Sequence, residues 1–525
     1  MQLRPWLPFI VVLVLASLGL VVRARSVTRG LPTLPPEGGL TYEARDGDTN
    51  ALIPCKLTLV GVDGTPDPRF TRNDIGRQEG DGTVVAYDRV LSLSGVGVVH
   101  VPVGTYDVYV SRGPEWDLAI ERKVRITPGK STVVQVRLKH VVDTSGWLSA
   151  DFHVHASHSS DSHVPMHDRI YEFVADGVEL ITSTDHNVVS NYAPVIEEIG
   201  AGRYITSIVG DELTTNGWGH FGAWPLTHDL ERVGQGAVFV HGKGPKDFFA
   251  DVRAHAPEAI IDVHHPRIDN EIGYFNIGGF DARNDRATRA GFSFDFDAVE
   301  VLNGYPDSER RSVDRMIDDW FALLQHGHIV TAMGNSDTHH LDHNIGGYPR
   351  NYVRVQEDQP QSLRDPLEIP RAVKGHHVFF TTAPFVIVKV DGAGIGDVAP
   401  ARGGDAKVEL EVRAAPWVSV SSAILYVDGH EAHRWKVDKS AQVVRLKETF
   451  PLHVARDAWV VVRVDGDEPL APVVGDRKRF DVRPLALTNP VFLDVDGNGK
   501  YDPPEKHGPH DLKPAVSRPP SAVSP

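Results

Sequence analysis

The stretch "DFHVHASHSSD", Asp151 to Asp161, holds three histidines, two aspartates and three serines in eleven residues. His153 and His155 stand two apart in a strand-like pattern, so both imidazoles face the same side. Four further stretches repeat the idea. "STDH", "GDE", "DVHHP" and "NSDTH" each end a short apolar run with His, Asp or Glu. Seventeen of the 26 histidines fall between His153 and His343. A single His-rich turn is explained by solvation. Five strand ends carrying metal-ligand side chains call for a common site, because in a β/α barrel the C-terminal ends of the strands converge on one mouth.

The segments between these strands read as helices. "PMHDRIYEFVADGV" places Ile170, Phe173, Val174 and Val178 at helical spacing, and "SERRSVDRMIDDWFALLQHG" does so with Val313, Ile317, Trp320, Phe321 and Leu324. Alternating strands and helices predict an α/β domain with a parallel sheet or barrel from about residue 141 to 384. On either side the pattern is all β. "VPVGTYDVYVSRG" and "KVRITPGKSTVVQVRLKH" read as strand-turn-strand units, which predicts a β-sandwich over 41–140. "FVIVKVDG", "KVELEVRA", "SAILYVDG" and "DAWVVVRVDG" predict a second sandwich over 385–502, followed by a Pro- and Ser-rich tail, 503–525, expected to be disordered.

Composition narrows the function. At 525 residues the chain is too long for one ordinary domain. The formal net charge of −16 argues against a nucleic-acid partner, which needs a basic face. The one cysteine, Cys55, lies in the strand-like "ALIPCKLTLV" and rules out an internal disulfide framework and any Cys-rich zinc site. At the N-terminus, Arg4 precedes an apolar run from Phe9 to Val22 and then Arg23 and Arg25. This is the layout of a signal peptide (1–25) or an N-terminal anchor, and it predicts a secreted or periplasmic body whose only membrane contact is that segment. A Pro/Gly linker (26–40) follows.

Imidazole and carboxylate without thiolate suit zinc, manganese or iron. About nine donors are too many for one tetrahedral ion, so two or three divalent ions sharing a carboxylate is the economical expectation. In this order, "HVHASHSSD", "TDHN", "GDELTT…GHF", "HHPR" and "GNSDTH" resemble the motifs of the polymerase and histidinol phosphatase (PHP) superfamily. The likeness covers roughly Trp147 to Pro384. The flanking sandwiches, the export signal and "NGY" resemble its secreted CehA/McbA-like, carbaryl hydrolase branch, and "GTYDVYVSRG" resembles prealbumin-like regulatory modules.

The resemblance implies a distorted (β/α)7 barrel and a metal set of His153, His155, Asp161, His186, Glu212, His220, His265, Asp337 and His339. Glu212 would be the bridging carboxylate. His264 and His265 would fall on opposite faces of a strand, and His265 is preferred because, as in that superfamily, it precedes the proline. His158 lies off the register of the motif, and Asp185 is a candidate to orient His186. His163, His167, His228, His255, His326 and His328 read as ordinary surface or core histidines.

Such a site implies a hydrolase that attacks a small-molecule substrate with a metal-activated hydroxide. Phosphoesters are the first expectation, with Glu212, Asp337, Arg267 and Arg350 as candidate catalytic residues and the two arginines supplying charge to the phosphate. The alternative is carbamate or amide hydrolysis at an aromatic mouth formed by Tyr274, Phe275, Phe280 and Tyr305. A non-enzymatic alternative is a surface- or carbohydrate-binding protein with a retired site, although every ligand position is filled. A separate stretch, "DVDGNGKYDPPE", places Asp494, Asp496, Asn498, Asp502 and Glu505 at the spacing of an EF-hand-like calcium loop.

Overall fold

The computed structural model describes residues 36–71, 75–304, 310–341, 346–475 and 481–503. The signal or anchor segment, most of the linker, Tyr305, Glu505 and all of the tail but Pro503 lie outside them. The elements below all belong to one compact unit that begins at Glu37.

In the N-terminal part, Glu37–Asp46 pairs with Val96–Pro102 and Ser131–Leu138. A six-stranded sheet centred on Cys55–Gly61 and Gly104–Ser111 packs against this one. The alternation read from the sequence is the reason. Leu40, Tyr42 and Ala44 turn inward and meet Leu57, Leu59 and Val108 in one core. Cys55 belongs to that core, and burial pushes its thiol up to about 12. This part is fastened to the next by a buried ion pair, Lys56 Nζ to Asp176 at 2.7 Å, just beyond the helix Met166–Ala175.

The expected (β/α)7 barrel is not what the central residues form. Trp147–Val154, Leu180–Ser183 and Thr206–Ile208 are parallel neighbours in one sheet. Asp211–Thr214, His220–Trp224, Ile260–Val263, Ala298–Asn303 and Thr331–Asn335 make a second, five-stranded sheet. Its first three strands are antiparallel and its last three parallel. The two sheets meet through isolated bridges, His186 to Glu212 and Val154 to Thr338. The described residues contain six sheets and six α-helices, with 39% strand and 14% helix, so no sevenfold strand–helix repeat exists.

The physical cause is visible at "TTNGWG". Gly217 and Gly219 take φ of +97° and +90° and turn the chain straight back from Asp211–Thr214 into His220–Trp224. Two strands joined so tightly pair antiparallel, because a parallel pair needs a long crossover.

The first sheet also runs through the expected boundary at residue 384. Trp147–Val154 pairs with Arg350–Arg354, that strand with Val378–Thr381, and Val378–Thr381 with Leu485–Thr488 of the C-terminal part. The C-terminal strands thus extend the sheet that carries His153, with Phe385–Val390, Asp405–Arg413 and Val444–His453 forming a smaller sheet. The two main helices follow their apolar spacing. Ile170, Phe173 and Val174 are buried from Met166–Ala175, and Ile317, Trp320 and Leu324 from Arg310–Gln325.

Candidate metal centre

The strand Trp147–Val154 delivers His153 at its end, and His155 follows on the same side. Both are fully buried. The other strand ends bring their donors to the same point. Glu212 lies at its centre. Its Oε1 is 2.8 Å from His264 Nδ1, 3.1 Å from His153 Nε2, 3.3 Å from His220 Nδ1 and 3.6 Å from His265 Nε2. Its Oε2 is 2.7 Å from His186 Nδ1 and 3.5 Å from His155 Nε2. Asp337 Oδ1 stands 3.1 Å from His153, 3.3 Å from His155 and 3.4 Å from His339. Asp161, half exposed at the rim, reaches His186 at 3.0 Å and His339 at 3.3 Å.

All nine residues expected as ligands are therefore gathered together. Together with His264 they make overlapping sets whose ligand atoms lie within 4.8 Å of one another, among them His155, Asp161, His186 and His339; His153, Glu212 and His264; His153, His265 and Asp337; and His186, Glu212 and His220.

Do these residues fit metal ions better than they fit each other? His153 Nε2, His155 Nε2, His220 Nδ1 and Glu212 Oε2 are buried and stand 2.7–3.5 Å from the carboxylates or imidazoles they face, yet none of these contacts has the alignment of a hydrogen bond. Buried polar atoms are normally satisfied. Donor atoms that converge without bonding are what a cation would complete.

The carboxylates divide the imidazoles: against burial, Asp337, Glu300 and Glu212 hold His153 well above its ordinary value, and Glu212 and Asp161 take His186 up to about 11. Burial alone would push the Glu212 carboxyl up, but His186, His153 and His220 outweigh it and hold the group well below the usual carboxylate range. Burial drives His155 and His264 toward neutral imidazole, helped by the charge of His339 and His153 respectively, and takes His264 to about 4. Neutral imidazole is the ligating form.

Two donors escaped the sequence reading. Glu300, on Ala298–Asn303, is fully buried. It accepts from His153 Nδ1 at 2.7 Å, the His265 backbone N–H at 2.7 Å, Asn335 at 2.9 Å and Asn303 at 3.1 Å. Against the upward push of burial, His153 and His264 hold it down at about 2. A carboxylate on the far nitrogen of a ligating imidazole fixes its tautomer and direction. His264 is the other. The choice of His265 alone assumed strict alternation, but the strand ends at Val263 and His265 has φ +30°. That left-handed backbone turns consecutive imidazoles toward Glu212. Asp337, at φ +50°, shows the same strain, which costs about 1–3 kcal/mol per residue and clusters at functional sites.

The remaining expectations separate. Asp185 shows no hydrogen bond to the His186 ring. It accepts from the Ala156 N–H and the Ser190 hydroxyl, so it shapes the loop after His155. His158 is exposed. Arg267 donates to Asp319, Asn276 and the Phe280 carbonyl, and Arg350 to the Gly347 and Asp176 carbonyls. Neither shows a bond to the cluster. Tyr274, Phe275 and Phe280 are buried in an aromatic core, not at a mouth. In the candidate calcium loop Asp494 accepts three backbone N–H groups, from Gly497, Asn498 and Gly499, and Asn498 bonds Asp496 and Asp502.

No protein-family model matches the chain, and no curated protein does. Among solved structures it is similar to the lesion-specific endonuclease PfuEndoQ of Pyrococcus furiosus, at 14% identity over 44% of this chain and 56% of that one, with a TM-score of 0.29. It is also similar to GBS52, the minor pilin of Streptococcus agalactiae, at 19% identity over 21% of this chain and 46% of that one, TM-score 0.15. An engineered protein gives 12% identity over 62% and 52%, TM-score 0.16. The chain spans about half the length of each, and TM-scores this low leave the function to the site itself.

Proposed function

We propose that the chain is a metal-dependent hydrolase whose site is of the PHP type, held between two sheets rather than in a closed barrel, and that it acts on phosphoesters. The observation that carries the proposal is Glu212, with both oxygens among six imidazoles whose inward nitrogens are in part unbonded. His153, His155, Asp161, His186, Glu212, His220, His264, His265, Asp337 and His339 would hold two or three divalent ions. When bound, such ions acidify a water and polarise the bond to be cut. The chain's own contribution is placement. Glu300 fixes His153 and the backbone of His265, and Arg169 fixes the His155 carbonyl at 2.9 Å and the Thr338 hydroxyl at 2.8 Å.

The charge that a phosphate needs comes from a residue other than Arg267 or Arg350. Arg289 is exposed, stacks on Trp218 at 3.8 Å and donates to the Gly217 carbonyl, on the turn that leads into His220. No acidic partner is present for it among the described residues. The test is elemental analysis of the metal-supplemented protein, followed by a parallel rate screen on an aryl phosphate, a bis-aryl phosphate and an aryl carbamate. Fewer than one transition-metal ion per chain sinks the metal reading. Turnover of the carbamate alone, unchanged by Arg289→Ala, sinks the phosphoester reading. Export rests on the Phe9–Val22 run and is tested by cell fractionation. Among the described residues no helix is long and apolar enough to cross a membrane.

A further inference from the structure

A cavity of about 520 Å³ opens at the other end of the strand that carries His153. Trp147, at the start of that strand, lines it. His153 lies six positions after Trp147, roughly 20 Å along an extended chain. A cavity of this size suits a small organic ligand.

Arg112 is its distinctive wall. The guanidinium is clamped between Trp116, at 5.4 Å, and Tyr204, at 5.1 Å. Its Nη1 is anchored on the Pro54 carbonyl at 3.0 Å and reaches the Val174 carbonyl at 3.5 Å. The other edge, Nε with Nη2, makes no hydrogen bond to any described residue, and Nε is buried. That edge is the planar fork that receives a carboxylate with two parallel bonds.

The acids around the cavity are already engaged. Glu115 accepts from His140 at 2.8 Å, Tyr352 at 2.8 Å and Thr144 at 3.3 Å. Glu179 accepts from the Ser149 N–H at 2.9 Å and its hydroxyl at 3.0 Å. Burial, with Glu115 beside it, pushes Glu179 up to about 8, which weakens its opposition to an anion. Asp358 accepts the Gly146 N–H at 2.8 Å. The unmet demand is for an acceptor at Arg112, and the nearby walls are aromatic.

We propose that this cavity binds a small organic carboxylate, its carboxylate on the Nε/Nη2 edge of Arg112 and its apolar body against Trp116 and Trp147. The probes are benzoate and phenylacetate, with a methyl glucoside as the neutral control, read by saturation-transfer NMR on the full chain. Saturable binding of the carboxylates and none of the glucoside is expected. Arg112→Lys keeps the charge but loses the fork, and should weaken binding by about ten-fold or more. Arg112 also holds the Pro54 carbonyl, so Trp116→Ala, on the half-buried wall, provides a second variant that should weaken binding too. Absence of saturable carboxylate binding to the unaltered chain overturns the proposal. So does binding that both folded variants leave unchanged, or binding of the glucoside in place of the carboxylates.

Discussion

Glu212→Gln is the substitution that bears most directly on the metal centre. It keeps the shape of the side chain and removes its charge and one acceptor oxygen. In two of the donor sets, His153 with His264 and His186 with His220, Glu212 supplies the one carboxylate. The amide would turn an N–H2 toward imidazole nitrogens that must offer lone pairs. Loss of a residue that merely orients a metal ligand costs about 10–100-fold in affinity. A direct, shared ligand should cost at least the upper value, about 100-fold or about 2.8 kcal/mol. The assay is a competition titration of zinc and manganese against a chromophoric chelator, with hydrolysis of an aryl phosphate measured in parallel. His158→Ala is the control, because His158 is exposed and is in none of the four donor sets given above. Both affinity and rate should fall for Glu212→Gln and hold for His158→Ala. Unchanged ion content and affinity in the Gln variant, or equal losses in the two, would refute the reasoning.

Glu300→Gln should lower metal affinity by about 10–100-fold without changing the number of ions bound, and an affinity equal to wild type removes Glu300 from the site. Far from the centre, burial pushes the Asp428 carboxyl from 3.8 up to about 6. A raised folded pKa gives stability that is complete below 3.8 and lost as pH rises through 6, up to about 3 kcal/mol. Asp428→Asn should therefore narrow the gap in melting temperature between about pH 4 and about pH 8, and an unchanged gap counts against the burial account. Calcium should raise the melting temperature of the wild type but not of Asp494→Ala, without altering hydrolysis. If calcium shifts neither, the loop is a turn closed by its own hydrogen bonds.

The residue pattern revealed the members of the site more fully than the architecture around it. The i, i+2 spacing of His153 and His155 needs only a local strand, and a local strand is what the sequence encodes. Closure of a barrel is a property of pairing between distant strands, and no periodicity reports it. The short return at Gly217 to Gly219 was legible as a turn signal, and it is this turn that sets Asp211–Thr214 against His220–Trp224 and breaks the parallel run. Glu300 was also legible in principle, as the lone charge in the apolar run "AVEVLN", where a buried acid requires a partner. His264 was hidden by a sound rule applied one residue too far, because alternation holds inside a strand and His265 lies beyond its end.

A buried cluster of charges has a structural explanation open to it, and the same chain shows what that looks like. Lys56 donates to both oxygens of Asp176 at 2.7 Å, and the Tyr348 hydroxyl adds a third bond at 3.2 Å. That network is as buried as the histidine cluster and its carboxylate is bonded on both oxygens, which a buried ion pair must achieve to offset its desolvation. Around Glu212 the chain does the reverse. It spends left-handed backbone at His265 and Asp337, gathers more imidazoles than carboxylates can satisfy, and leaves inward nitrogens unbonded. Stability alone would favour replacing such a cluster with apolar side chains of similar volume. Its arrangement makes physical sense when the missing partners are cations.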